Sequence, residues 1–381
     1  MAFPRPPHWI GFAETRRGKS MTEITGPLRL RASVHRASAA PGDPAPYAGE
    51  DSFTFVRVQV TDAEGVTGDG FTGRFCAAEV AHLLNGAVAE ALASPGPLPD
   101  LMRKLNPRGM TGVVVSALSA LDVAFWDLAG KRAGQSVAAL LGGLRTAAPV
   151  DVTCGFPALE TGALVAACAQ EVAAGAHGVK VLVAAKGRSV AEDIARLSAV
   201  RAAIGDAALI ADANCGWDLD SALAFARGAA DLNLAFLEEP LRGNDRHALA
   251  VLAREKIMPL GAGQMEQSPD RFALLAEAGV QVIQPNAVFA GGIGAAVAAA
   301  RGAEGAGCTV SPAGGWDIVN LHWMCGAMTD GTVELHRAQG RIARLLMAHP
   351  PEISGGRLVV SEAPGLGLSP DEDRLAACRV A

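Results

Sequence analysis

Aromatic residues are scarce in this chain, making up 5% of its 381 residues, with a single tyrosine, Tyr47. That argues against the stacking platforms on which single-stranded nucleic acids lie. Basic runs are missing as well, and the net charge of −6 speaks against nucleic acid or an anionic membrane as the main partner. No stretch reaches the roughly 18 uninterrupted apolar residues of a membrane span. The first twenty residues hold no compact apolar segment of the kind a signal peptide needs. The seven cysteines (76, 154, 168, 215, 308, 325 and 378) show no CxxC and no paired spacing. This excludes a disulfide framework or zinc site and points to a reduced, cytoplasmic setting. Phosphate-cradling loops are also absent: no GxGxxG follows the first strand and no GxxxxGK[ST] occurs.

Apolar material for a large core is abundant: half of the residues are hydrophobic, and 44 are glycine. The length suits a large α/β barrel plus a module, or two to three domains. Residues 1–26 read as an N-terminal arm, with Met21 an alternative start. From about Leu28 to Gly73 the pattern is strand-like. Phe53–Val60 alternates, a polar turn falls at Asp62–Gly65, and the alternation resumes as a hairpin. Helical periodicity begins at Ala77, and Val113–Gly143 reads as a long apolar helix followed by a short one ending on Gly142–Gly143. Residues 27–146 are therefore expected to form an α+β capping domain.

After Ala147 short aliphatic runs recur near Thr153, Val181, Ile210, Leu237, Gly261, Ile283, Thr309 and Leu335, roughly 22–29 residues apart. Ala/Leu-rich helices fill the gaps. Such strand–helix units predict a (β/α)8 barrel over 147–345, with 346–381 returning to the capping domain; an open doubly wound sheet is the alternative. In a barrel, chemistry belongs to the C-terminal strand ends. The polar residues there are Lys180, Asp212 with Asn214, Glu238 with Glu239, Gln264 or Glu266, Asn286, Ser311, and Glu334 or His336. A ring of carboxylates and amides suits Mg2+, a hard cation that takes oxygen ligands. Asp212 and Glu238 also read as plain helix caps, a common fate of acidic residues at βα turns.

The segments SALSALDVAFWDLAGKRAGQSVAALLGG (Ser116–Gly143), GVKVLV, LIADANCGW, FLEEP, PLGAGQ, VIQPNAVFAGGI and CTVSPAGGWD occur in that order. Together they resemble the mandelate racemase and muconate lactonising branch of the enolase superfamily, from about residue 28 to the C-terminus. The resemblance implies a small carboxylate substrate, abstraction of its α-proton, stabilisation of the enediolate by Mg2+, and a homo-oligomer. Asp212 matches the first metal ligand and Glu238 the second, while the third falls on Gln264, a neutral amide; Glu266 is close enough in sequence to compensate. The usual Lys-X-Lys reads Lys180-Val181-Leu182, so only the first lysine remains. The positions of the Asp–His dyad fall on Asn286 and Ala313, and the lactonising lysine on Phe289.

Lys180, Asn286 and His336 are thus the catalytic candidates, with Asn214, Ser311 and Glu266 the substrate contacts. Lys180 reads equally well as a buried ion-pair partner of Asp212 or Glu238. Trp316, Asp317 and Lys186 are further groups close to the missing bases. Two functions follow: an Mg2+-dependent dehydratase or racemase/epimerase with a non-standard base, or a barrel that kept its ligand site and lost turnover. The Pro41–Glu50 segment and the Thr72–Cys76 turn are expected to select the substrate.

Overall fold

The structure, a computed structural model, describes residues 28–38, 52–92 and 112–381. The N-terminal arm and the Pro41–Glu50 segment lie outside the described residues. Strands β1 (Arg29–Ser38), β2 (Ser52–Thr61) and β3 (Thr67–Thr72) form an antiparallel sheet in the order β1-β2-β3. The turn between β2 and β3 is set by Asp62, whose Oδ1 accepts from Val66 N at 2.8 Å, and by Gly65 at φ +86°. Both faces of β2 are buried. Val56, Val58 and Val60 face the capping-domain helices, and Phe53 and Phe55 join the barrel's core. Period-two alternation here separates two apolar faces rather than core from water.

Helix α1 (Ala77–Leu83) runs on through a π turn to Leu92. Helix α2 (Gly112–Ala133) is buried along most of its length. It is long and apolar enough to cross a membrane, but 72% of its apolar window is buried inside the protein, as expected of a helix wedged between a sheet and a barrel. Gly68 and Gly70 of β3 let it approach: a Cβ on Gly70 would stand 1.9 Å from Ala120 O. Helix α3 (Val137–Leu141) follows, capped by Ser136.

Eight parallel strands make the barrel: β4 (Ala147–Gly155), β5 (Gly178–Leu182), β6 (Ala208–Asp212), β7 (Phe236–Glu238), β8 (Leu260–Ala262), β9 (Val282–Ile283), β10 (Thr309–Val310) and β11 (Val333–His336). Each of the eight runs expected from the sequence falls within one of them. The ladder runs β10-β9-β8-β7-β6-β5-β4-β11. Across the β10/β11 join the hydroxyls of Ser311 and Thr332 meet at 2.8 Å. A hairpin of β12 (Ile353–Ser354) and β13 (Arg357–Val359) pairs antiparallel with the start of β4.

The capping domain is tied to the loop after β9. Thr72 Oγ1 donates to Val288 O at 2.8 Å, Ser119 Oγ accepts from Gly291 N at 2.8 Å, and Asp122 Oδ2 accepts from Ile293 N at 2.7 Å. Ile293 opens the barrel helix Ile293–Gly305, so a carboxylate of the capping domain caps a helix of the barrel. The C-terminal tail also crosses over: Val34 N donates to Ala381 O and Arg36 N to Cys378 O, and Arg57 grips Glu372 through both guanidinium amines at 2.8 and 2.7 Å.

Candidate functional site

At the C-terminal end of the barrel a cavity of about 310 Å³ opens under the capping domain. Strand periodicity places its floor. Leu182 pairs with Asp212 and Asp212 with Glu238 across neighbouring strands, so these side chains stand side by side, about 5 Å apart. Lys180, two residues before Leu182, reaches the same centre. Its Nζ lies 2.8 Å from Glu238 Oε1, 2.9 Å from Glu334 Oε1 and 3.7 Å from Asp212 Oδ2. All four groups are buried.

Each of these groups titrates away from its ordinary value. Burial opposes the charge of Lys180, but Glu238, Glu334 and Asp212 together hold its ammonium well above the usual range. Burial pushes Asp212 and Glu238 up against the pull of Lys180, and the Asp212 charge adds to the rise of Glu238. Burial would raise Glu334 too, but Lys180, His336, the Thr153 hydroxyl and Gly315 N pull it down to about 2. The remaining Glu238 oxygen accepts from Gln284 Nε2 at 2.8 Å, and Asp212 Oδ1 accepts from Asn214 N at 2.9 Å.

The structure brings Lys180, Asp212, Asn214, Gln264, Glu334 and His336 to the one cavity. Glu238 stands behind Lys180, fully buried. Four sequence expectations are corrected. Lys180 is no free base, because an ammonium gripped by three carboxylates holds its proton. Asn286 is committed to the backbone: its Nδ2 donates to Ala313 O at 2.6 Å and Gly315 O at 3.2 Å, and its Oδ1 accepts from Val288 N. Glu266 turns from the centre into a two-pronged ion pair with Arg271, at 2.8 and 3.1 Å. Ser311 bonds Thr332 at the strand join instead of lining the cavity. Asp317 is buried outside the lining, whereas Trp316 and Lys186 belong to it.

Sequence reading named Glu334 only as a strand-end alternative and gave no part to Thr153 or Gln284. Each sits on or just after a barrel strand with its side chain on the inner face. An inward parity count would have found them, but their partners lie far away in the sequence, Thr153 and Glu334 on adjoining strands 181 residues apart. Glu239 bonds Asn244 Nδ2 at 3.1 Å with its backbone at φ 40°. Ala184, Lys186, Asn214, Cys215 and Trp316 are also left-handed around the same mouth. Such strain costs of order 1–3 kcal/mol per residue and gathers at functional sites.

The donor set fits a divalent cation in charge and in part in ligands. With Asp212, Glu238 and Glu334 all ionised, the single ammonium would leave two negative charges in a buried centre, a state that burial opposes and that a divalent ion would balance. Among the described residues no group of three or more His, Cys, Asp or Glu side chains is arranged to hold a metal, so a further protein ligand would be a neutral oxygen donor such as an amide, a hydroxyl or a backbone carbonyl. Gln264 offers one, its side chain lying against Gly314, where a Cβ would come within 2.7 Å of Gln264 Cγ.

Comparison with known proteins gives the same outline. Residues 163–374 match the enolase C-terminal domain-like family, and residues 42–142 match the mandelate racemase/muconate lactonizing enzyme N-terminal domain. An arabinonate dehydratase of Saccharolobus solfataricus is 30% identical, over 71% of this chain and 74% of its own. A 3,6-anhydro-alpha-L-galactonate cycloisomerase of Streptomyces coelicolor is 28% identical, over 93% and 96%. Among solved structures, L-talarate dehydratase from Polaromonas sp. JS666, complexed with Mg and L-glucarate, is 29% identical with a TM-score of 0.80, over 93% and 98%. A racemase from Streptomyces coelicolor with bound magnesium is 25% identical with a TM-score of 0.83, over 92% and 99%.

Proposed function

Because the chain belongs to the mandelate racemase/muconate lactonizing enzyme family of the enolase superfamily, we propose that it binds a small carboxylate at the barrel mouth and removes the proton α to that carboxylate, as the first step of a dehydration or a racemisation/epimerisation. The observation that carries this reading is the convergence of Lys180, Asp212, Glu334 and His336 on one cavity under the capping domain. Asp212, Glu238 and the Gln264 amide are the residues that would hold Mg2+. When bound, the ion supplies a Lewis acid that stabilises charge developing on the substrate carboxylate.

The chain's own residues do the rest. Lys180 stays protonated and fixes Asp212, Glu238 and Glu334 in place. His336, at the end of β11, is the base: it lines the cavity, and imidazole is the side chain whose charge changes near neutrality. Its ring stands 5.4 Å from that of Phe156 and 6.1 Å from that of Phe53, which fixes its plane. Arg74 and Phe75 of the capping domain line the mouth of the cavity.

A second reading, ligand binding without turnover, draws on the apolar residues Leu182, Phe289 and Ala313 at the places where the resemblance implies bases. One assay separates the two: solvent-deuterium exchange at the α-carbon across a panel of acid sugars and hydroxy acids, with and without Mg2+. Exchange that requires Mg2+ and drops at least about 100-fold in His336→Asn is the expected result. Binding of carboxylates without exchange of any α-proton would leave only the second reading.

A further inference from the structure

A second pocket, of about 230 Å³, lies apart from the barrel cavity and shares none of its lining residues. It is formed by the end of β1, the helix Gly340–Leu346 and the helix Glu372–Ala377 with its cap. Arg341, Arg344 and Arg374 line it, and among the described residues no acidic one does. Arg341 and Arg344 stand three apart on one helix and so share a face. The Arg344 guanidinium folds back over the first turn, since a Cβ on Gly340 would stand 3.6 Å from its Nη1. Arg374 reaches across from the other helix, its Nη1 donating to Arg344 O at 3.3 Å. Arg341 is only 5% exposed, so part of this positive charge lies out of water. Glu372, beside Arg374 in sequence, is gripped by Arg57, and Asp371 accepts from Arg374 N at 3.0 Å. Neither carboxylate lines the pocket.

We propose that this pocket binds a phosphate group, free or as a small monoester, through its three guanidinium groups. Like charges gathered in one place repel, and an anion set between them turns that repulsion into attraction. A guanidinium presents its donors as a planar fork that matches phosphate oxygens two at a time. Forks arriving from two helices suit a tetrahedral dianion, whose oxygens face every direction, better than a flat carboxylate. Ala37, Leu345 and Ala377 supply apolar wall for the body of an ester. An occupied pocket ties β1 of the capping domain to both helices. The proposal does not depend on the carboxylate reading, because the two sites share no residue.

The test is a calorimetric titration of inorganic phosphate into the full-length protein, at constant ionic strength in Mg2+-free buffer. The expected result is saturable binding of one phosphate per chain, displaced by sulfate, with a melting temperature that rises with phosphate concentration. Arg344 and Arg374 are exposed positions, where a substitution spares the core. Arg344→Gln and Arg374→Gln should each weaken phosphate at least about tenfold. Arg74→Ala, which removes a cation of the barrel cavity, should change phosphate binding less than twofold. Glycerol 1-phosphate separates the two forms of the ligand: tighter binding than phosphate assigns the pocket to a monoester, equal or weaker binding to free phosphate. No saturable binding of either probe, binding untouched by both pocket substitutions, or binding lost in Arg74→Ala overturns the inference. None of these results bears on the exchange assay, so the carboxylate reading stands or falls separately.

Discussion

At the scale of single residues, the centre is governed by Lys180. A buried ammonium with three carboxylate partners contributes little net stability over an apolar replacement of the whole cluster, but removing the cation alone strands buried negative charge. Lys180→Met is therefore expected to cost about 3–5 kcal/mol, read as a lower melting temperature, and to lose less when Mg2+ is present. An unchanged melting temperature would contradict the ion-pair account. Gln264 is the complementary case. Its amide can ligate a hard cation through oxygen but adds no charge, so Gln264→Glu should tighten Mg2+ at least about tenfold in a calorimetric titration if this side chain is the third ligand. No gain in affinity would remove Gln264 from the ligand set.

Among elements, the decisive contact is the one between β3 and α2. The backbone of a helix can come this close to a strand only where the strand carries no side chain, and Gly68 and Gly70 supply that gap. Gly70→Ala would drive a methyl into Ala120 O and Ala124 N. The neighbours are backbone and cannot swing aside, so the expected loss is of the overpacking type, about 1–3 kcal/mol or more, measurable as a lower urea midpoint. A midpoint unchanged by this substitution would mean that α2 sits farther from the sheet than described. Because α2 also caps the barrel helix Ile293–Gly305 through Asp122, a shift of α2 reaches the loop that carries Phe289.

At the scale of the whole molecule, capping domain, barrel and C-terminal tail are joined by polar anchors on a shared apolar core. The pair Arg57–Glu372 ties the tail to the middle of β2. Hydrogen bonds from Arg57 hold Glu372 below its ordinary value. A carboxylate lowered in the folded state adds stability above its unfolded pKa and loses it as the pH falls through the folded one. Glu372 is largely exposed, with 65% of its side chain open to solvent, so the contribution is small. Glu372→Gln should cost about 1 kcal/mol or less at pH 7, and the difference from the parent protein should begin to shrink as the pH falls past the unfolded glutamate value of about 4.3 and vanish once the carboxylate is protonated in the folded protein. A difference that persisted at low pH would point to packing rather than charge.

Much of this protein was determined by its sequence alone. Period-two alternation, the β2–β3 turn residues and the spacing of eight aliphatic runs are local properties, and they sufficed for the capping hairpin, the barrel and the strand ends that carry Asp212, Glu238 and Lys180. Glycine at 68 and 70 was visible too, but its purpose was not, because the atoms it makes room for lie some fifty residues away. Tertiary structure alone decided which strand-end groups meet. Asn286, Ser311 and Glu266 occupy strand-end or loop positions as Asp212 and Gln264 do. Yet backbone carbonyls claim the first, Thr332 the second and Arg271 the third, and these partners are fixed by folding rather than by spacing. It decided the state of Lys180 as well, since a lysine's proton affinity depends on the charges brought around it, here from three strands that the sequence separates by 32 to 154 residues. The cavity wall has the same origin: Phe53, Phe156, Phe289 and Trp316, scattered along the sequence, line one space only when the barrel closes beneath the sheet.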